Sequence, residues 1–193
     1  MKKLIVTSVL YTLITAVLLG IVYPLAVTGL AHLFFARQAE GSLIERTGVL
    51  VGSRLIGQTF SGPGYFWSRP SAAGNGYDAS NSGGSNYAPT NSALASRVAA
   101  SVQTLDPKGT NGAVPIDLVT ASGSGLDPDI SPAAAYYQVA RVAAARHLSQ
   151  DAVNSLITDH IIPRQFGLLG EPRVNVLELN MDLDKMGPAT PAK

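Results

Sequence analysis

Hydrophobic positions are distributed unevenly along this chain. Leu4 to Phe35 is one apolar run that carries no charged side chain unless His32 is protonated. At about 1.5 Å per residue, roughly 20 residues cross a hydrocarbon core of about 30 Å, so a helix entering at Leu4 leaves near Tyr23 and Pro24. Leu25, Val27, Leu30, Leu33 and Phe34 then stand beyond the lipid and need protein to cover them. Pro24 removes a backbone donor, which predicts a kink. Ser8, Thr12, Ala16 and Gly20 recur every fourth residue and form a face on which another helix can approach closely, although small residues also occur in spans that face only lipid. A cleaved signal segment fits less well, because its apolar region is about 7 to 15 residues long.

After the run the pattern breaks into short signals. Residues 37–52 read as a polar connection punctuated by Gly41, Gly48 and Gly52. Leu55 to Phe60 reads as a short strand before a Ser-Gly-Pro-Gly turn. Tyr65, Phe66, Trp67 and Arg69 suit either core packing or a contact surface. Residues 71–91, rich in Gly, Ser and Asn, form a long loop whose centre, Ser82, Gly83, Gly84, Ser85 and Asn86, reads as a flexible stretch or an ordered contact loop ahead of a set of backbone amides facing an anion. Ser92 caps a helix with Leu94, Val98, Val102 and Leu105 on one face, stopped at Asp106-Pro107. A turn at 107–113 leads to Val114 to Thr120, which reads as a buried strand.

Ser131-Pro132 starts the next helix, with Tyr136, Ala140, Ala143 and Ala144 as its buried stripe and Arg141 and Arg146 on a solvated or partner-facing side. Ser149 caps another helix, with Asp151 in its first turn and Val153, Leu156, Ile157 and Ile161 inward. Val174 to Asn180 alternates like a strand, and Met181 to Met186 adds a helical turn. Residues 187–193 form a frayed tail.

The fold class is therefore one N-terminal transmembrane helix followed by a single α+β extracytoplasmic domain, with short strands packed against about three helices. Its bounds are a cytoplasmic N-terminus at 1–3, a transmembrane helix at 4–35, a domain at 36–186 and a tail at 187–193. Orientation rests on Lys2 and Lys3, which hold the N-terminus inside by the positive-inside rule.

Composition narrows the chemistry. Fourteen basic residues face thirteen acidic ones, a net charge of +1, so no nucleic-acid surface is indicated. Cysteine is absent, which excludes disulfides and thiolate chemistry. The three histidines lack metal-ligand spacing, and Asp127 with Asp129 supplies too few ligands for a metal. No nucleophile motif or dinucleotide fingerprint is present, so no catalytic residue and no bound cofactor are expected.

Longer segments carry a resemblance. VYPL at 22–25, GSLI at 41–44, LIGQTF at 55–60, GYFWSRPSA at 64–72, SGGSN at 82–86, VPIDLVTASGSGLDPDISPAAA at 114–135, RVAAAR at 141–146 and VNVLELN at 174–180 together resemble the KdpC family of bacterial potassium-transporting ATPases. The resemblance implies a single-span subunit of the bacterial inner membrane. Its partners would be a potassium-channel-like subunit (KdpA), an ATP-hydrolysing P-type subunit (KdpB) and a small fourth subunit (KdpF). It also implies a role described for that family, a catalytic chaperone that raises the affinity of the ATP-hydrolysing subunit for ATP. Ser122, Gly123, Ser124, Gly125 and Gln138 would be the nucleotide contacts. The orientation set by Lys2 and Lys3 favours a different role, a cap over the potassium entrance, with 71–91 and the aromatic segment touching the channel-like subunit.

Overall fold

The computed structural model describes residues 1–109 and 112–187. The expected tail therefore lies outside the described residues after Gly187, and the 107–113 turn is described only on either side of its centre. The chain divides into two compact units, Met1–Ser53 and Arg54–Lys193.

The first unit is a helix and a hairpin. Helix α1 (Lys2–Val17), a π-helical segment (Leu18–Val22) and helix α2 (Tyr23–Ala39) form one continuous element of 38 residues. The expected disturbance at Pro24 takes the form of this π segment, in which the Tyr23 N–H donates to the Leu18 carbonyl. Widening the turn there relieves the clash that a proline ring makes with the carbonyl four residues back. A second break falls at Phe35 (φ −138°, ψ 41°), where the apolar run ends. No residue of α1 or α2 is buried.

Residues 37–52 are not a plain connection. Strands β1 (Leu43–Arg46) and β2 (Val49–Ser53) pair antiparallel, with a register shift between Ile44 and Glu45. Thr47 (φ 51°) and Gly48 (φ 77°) make the two-residue turn, and positive φ at both positions matches the twist of a tight hairpin.

The second unit has its own core. Helices α3 (Ser92–Leu105), α4 (Pro132–Tyr137), α5 (Val139–Arg146), α6 (Gln150–Asp159) and α7 (Val176–Met186) accompany a three-stranded antiparallel sheet. Its strands are β3 (Asp129–Ile130), β4 (Ile161–Ile162) and β5 (Arg173–Asn175), with β5 in the centre. Phe66, Val142, Val153, Ile157, Leu179 and Leu183 lie at the heart of the apolar cluster.

Caps explain where the helices begin. Ser131 accepts from the Ala134 N–H and Ser149 from the Ala152 N–H, both as the sequence predicts. The α3 cap is Asn91 rather than Ser92, with its side chain accepting from the Ala93 N–H.

Several expectations fail for identifiable reasons. Leu55 to Phe60 is turn, bend and irregular chain, not a strand. Ile116–Leu118 is a 3₁₀ turn where a strand was expected, and its Asp117 accepts from the Ser131 N–H at 2.7 Å, tying the turn to the start of α4. The alternation at 174–180 spans two structures, β5 and then α7, whose cap is Asn175.

The α4–α5 stripe is reversed. Ala134, Ala135, Gln138, Val139, Val142, Ala143 and Arg146 are buried, whereas Tyr136, Ala140 and Ala144 are exposed. Only Ala143 of the expected stripe faces inward. Tyr136 keeps its ring outside and shares a hydrogen bond with the Thr158 hydroxyl at 3.0 Å.

Candidate functional site

The segment from Gly62 to Arg69 runs through the second unit outside any sheet, so its backbone groups need other partners. Amide side chains supply them. Asn180 Oδ1 accepts from the Phe66 N–H at 2.8 Å and its Nδ2 donates to the Phe66 carbonyl at 2.9 Å. Gln138 repeats the arrangement one residue on: Oε1 accepts from the Trp67 N–H at 2.8 Å, and Nε2 donates to the Trp67 carbonyl at 3.2 Å. Two carboxamides thus replace a neighbouring strand for these two residues.

Two arginines complete the cradle. Arg141 donates to the carbonyls of Pro63 (2.6 Å) and Tyr65 (2.9 Å), and its guanidinium lies 3.9 Å from the Trp67 ring centre. Burial pushes its pKa down to about 10, which leaves it charged at neutral pH. The Arg146 side chain is fully buried. It donates to the Gly64 carbonyl, pairs with Asp184 at 2.8 Å and lies 4.6 Å from the Tyr65 ring centre. Neither arginine is on a solvated face, which corrects the expectation from helical spacing. Burial is tolerated because carbonyls, a carboxylate and aromatic faces all meet the charge.

Of the aromatic segment, Phe66 is fully buried, while Tyr65, Trp67 and Arg69 are half-buried. Trp67 Nε1 donates to the Gly62 carbonyl at 2.9 Å, and Arg69 pairs with Asp127 at 2.9 Å.

The glycine-rich stretches meet each other. The Gly83 N–H and the Ser82 hydroxyl both donate to the Ser124 carbonyl at 2.9 Å. Gly125, at φ 68°, sits so close that an added Cβ would lie 2.6 Å from the Ala73 nitrogen and 2.7 Å from the Gly83 carbonyl oxygen. At Gly84 an added Cβ would stand 3.1 Å from the Gly123 carbonyl oxygen. Ser71 anchors the same junction, donating to the Gly125 carbonyl at 2.6 Å and accepting from the Tyr77 N–H at 2.8 Å. Ser85 is half-buried and Asn86 exposed with φ 50°. The structure therefore brings 82–84 together with 122–125.

Gln138 belongs to the aromatic cradle. Its Oε1 also accepts from Arg141 at 2.6 Å and its Nε2 also donates to the Ala134 carbonyl at 3.2 Å, so all four hydrogen-bonding positions of the amide are filled. Ser8, Thr12, Ala16 and Gly20 lie along the long helix. The Ser8 hydroxyl donates back to the Leu4 carbonyl at 2.9 Å, and space is open around Gly20.

Sequence reasoning missed Asn180, Ser71 and the two arginines. A signal existed for the amides: a polar Asn180 among apolar neighbours and a Gln138 within an alanine-rich helix mark buried carboxamides. Among the described residues, no group of three or more His, Asp and Glu side chains is placed to hold a metal.

A helix of 38 residues, apolar enough to span a bilayer, followed by a small α+β unit, fits a single-pass membrane protein. The family described as K+-transporting ATPase, c chain, matches residues 5–185. The chain therefore belongs to the KdpC family. It is 64% identical over 180 residues to the potassium-transporting ATPase KdpC subunit of Acidobacterium capsulatum, covering 93% of this chain and 97% of that one. The corresponding proteins of Koribacter versatilis (56% over 188 residues, 97% of each chain) and Rhodospirillum rubrum (55% over 182 residues, 93% and 94%) are also similar.

Proposed function

We propose that this chain is a non-catalytic accessory subunit of an ATP-driven potassium-uptake complex in the bacterial inner membrane, acting by binding. Its span packs on the channel-like subunit KdpA, within an assembly that also holds KdpB and KdpF, and its second unit covers the outer potassium entrance. The observation that carries this reading is the helix Lys2–Ala39, none of whose residues is buried although it exceeds the lipid core by many residues. Lipid covers only part of it, and a neighbouring helix suits the face of Ser8, Thr12, Ala16 and Gly20.

The alternative, in which the chain raises the ATP affinity of KdpB, needs Gln138 to contact nucleotide. That contact would take the amide away from Trp67, Arg141 and Ala134. It also needs the second unit in the cytoplasm, against the charge of Lys2 and Lys3.

Two measurements test the proposal. A reporter fused after Arg37 gives an outside signal; a cytoplasmic one overturns the entrance role. Ala16→Leu with Gly20→Leu lowers recovery of the chain with tagged KdpA, and unchanged recovery removes the helix contact.

A further inference from the structure

Helix α3 buries no residue, whereas α4, α5, α6 and α7 each bury two or more. Leu94, Val98 and Leu105 are half-buried and Val102 is exposed. Polar groups do not tie the helix down either. Among the described residues, no hydrogen bond or ion pair joins residues 85–105 to any part of the unit beyond Pro107. Asn91 caps the helix, the Ser101 hydroxyl donates to the Arg97 carbonyl at 3.0 Å, and the Gln103 amide donates to the Pro107 carbonyl at 3.4 Å. The Arg97 guanidinium turns back onto the Tyr87 ring, 5.5 Å from its centre, and its Nε finds no acceptor.

The stretch is fastened just outside its two ends. Before it, Ser82 and Gly83 bond to the Ser124 carbonyl, and Gly84 lies close against Gly123. After it, Asp106 is buried. Between these points α3 stands beside a cavity of about 380 Å³, with Ser101, Thr104 and Leu105 on its side and Phe60, Trp67 and Leu118 opposite. A second cavity, about 290 Å³, lies against Leu105, Tyr137 and Arg141. Leu105 carries the packing of α3 on the apolar cluster, yet it borders open space twice and forfeits dispersion contacts there. The opposite wall is fixed, because Gln138 holds the Trp67 backbone and Leu118 is buried.

We propose that residues 85–105 form a hinged flap that turns about Gly84 and Asp106 and opens as one body while the rest of the second unit stays folded. Local opening falls to regions with little buried apolar surface and few bonds to their surroundings, and this stretch has both properties. A hinge needs only a few terminal residues to absorb the change in dihedral angles, and the near one falls at a Gly-Gly pair. Opening bares the cavity wall at Phe60 and Trp67, so the flap controls access to the aromatic cradle. This holds independently of the accessory-subunit reading.

Amide hydrogen exchange of the full-length chain in detergent, resolved by residue, tests the flap. Amides from Val98 to Leu105 should exchange through one shared opening, roughly a hundredfold faster than those of Val142 in α5 or Ile157 in α6. Small additions of denaturant should leave that opening with a shallow common slope, since the slope scales with the surface exposed. Protection equal to that of α5 and α6, or the slope of global unfolding, overturns the proposal. So do rates that rise smoothly toward one helix end, which would be fraying. Leu105→Ala removes the contact with the cluster and should speed α3 exchange roughly tenfold further while α5 and α6 keep their rates. Equal acceleration of all three helices, no acceleration of α3, or failure of this variant to fold would each place α3 in the cooperative core and remove the flap.

Discussion

The two units of this chain put apolar residues to opposite uses. In Met1–Ser53 the helix buries no residue and its hydrophobic side chains all face outward. In Arg54–Lys193 a cluster around Phe66, Ile157, Leu179 and Leu183 is sealed from solvent. The first arrangement leaves its apolar surface uncovered by the chain itself, and the second uses it to hold its own chain together. What separates them is charge and amide placement: Leu4 to Phe35 has none unless His32 is protonated, whereas the second unit buries Gln138, Arg146 and Asn180.

The largest test of this contrast is a cavity. Leu179 is fully buried, so Leu179→Ala should destabilise the second unit by about 2–5 kcal/mol. Leu13→Ala, on an exposed part of the span, should leave the same unfolding transition unchanged. Denaturant unfolding of the full-length chain in detergent, followed by the fluorescence of the single Trp67, reads both. Equal losses would erase the distinction between the units.

Removing a buried amide comes next. Asn180→Leu keeps similar bulk but strips the Phe66 N–H and carbonyl of their partners, a cost of about 1–3 kcal/mol. Gln138→Met should act alike through Trp67. If either variant is neutral by the same unfolding measurement, the Gly62 to Arg69 segment is held by its side chains rather than by the amides.

The same contrast explains what the sequence makes legible. The span is readable because one property, uninterrupted apolarity, decides it. Helix starts are readable where a cap and its neighbours coincide, as at Ser131-Pro132 and Ser149. The second unit hides its organisation because its ladder is not local: Asn180 serves Phe66 from 114 positions away, and no periodicity records that. The α4–α5 stripe misleads because Tyr136 is a large side chain that nonetheless stays outside, with its hydroxyl on Thr158. At 174–180, alternation continues from β5 into α7, and a period of two over so few residues does not distinguish strand from helix. Of the candidate site, the meeting of 82–84 with 122–125 depends on close backbone approach, which the glycines at 84 and 125 permit but do not announce.

The smallest expected effect is a pH dependence that Asp129 and Asp182 give the second unit, whereas the apolar run Leu4 to Phe35 contains no carboxylate. Burial pushes the Asp129 carboxyl up, with the Arg173 charge opposing that rise and the Asp127 charge adding to it. A raised folded-state pKa means the native chain takes up this proton before the unfolded chain does. The contribution of Asp129 to stability is therefore fully present below the ordinary aspartate range near 3.9 and is lost as pH rises through its raised value. Asp182 has the opposite sign: the hydrogen bond from Lys185 lowers its pKa, so its contribution is present above the ordinary range and lost as pH falls through the lowered value. Comparing unfolding of the wild type and Asp129→Asn between about pH 4 and pH 7 isolates the contribution of Asp129. The wild type should gain stability relative to the variant as pH falls. A relative loss instead would mean that the 2.8 Å ion pair with Arg173 outweighs burial at this strand end.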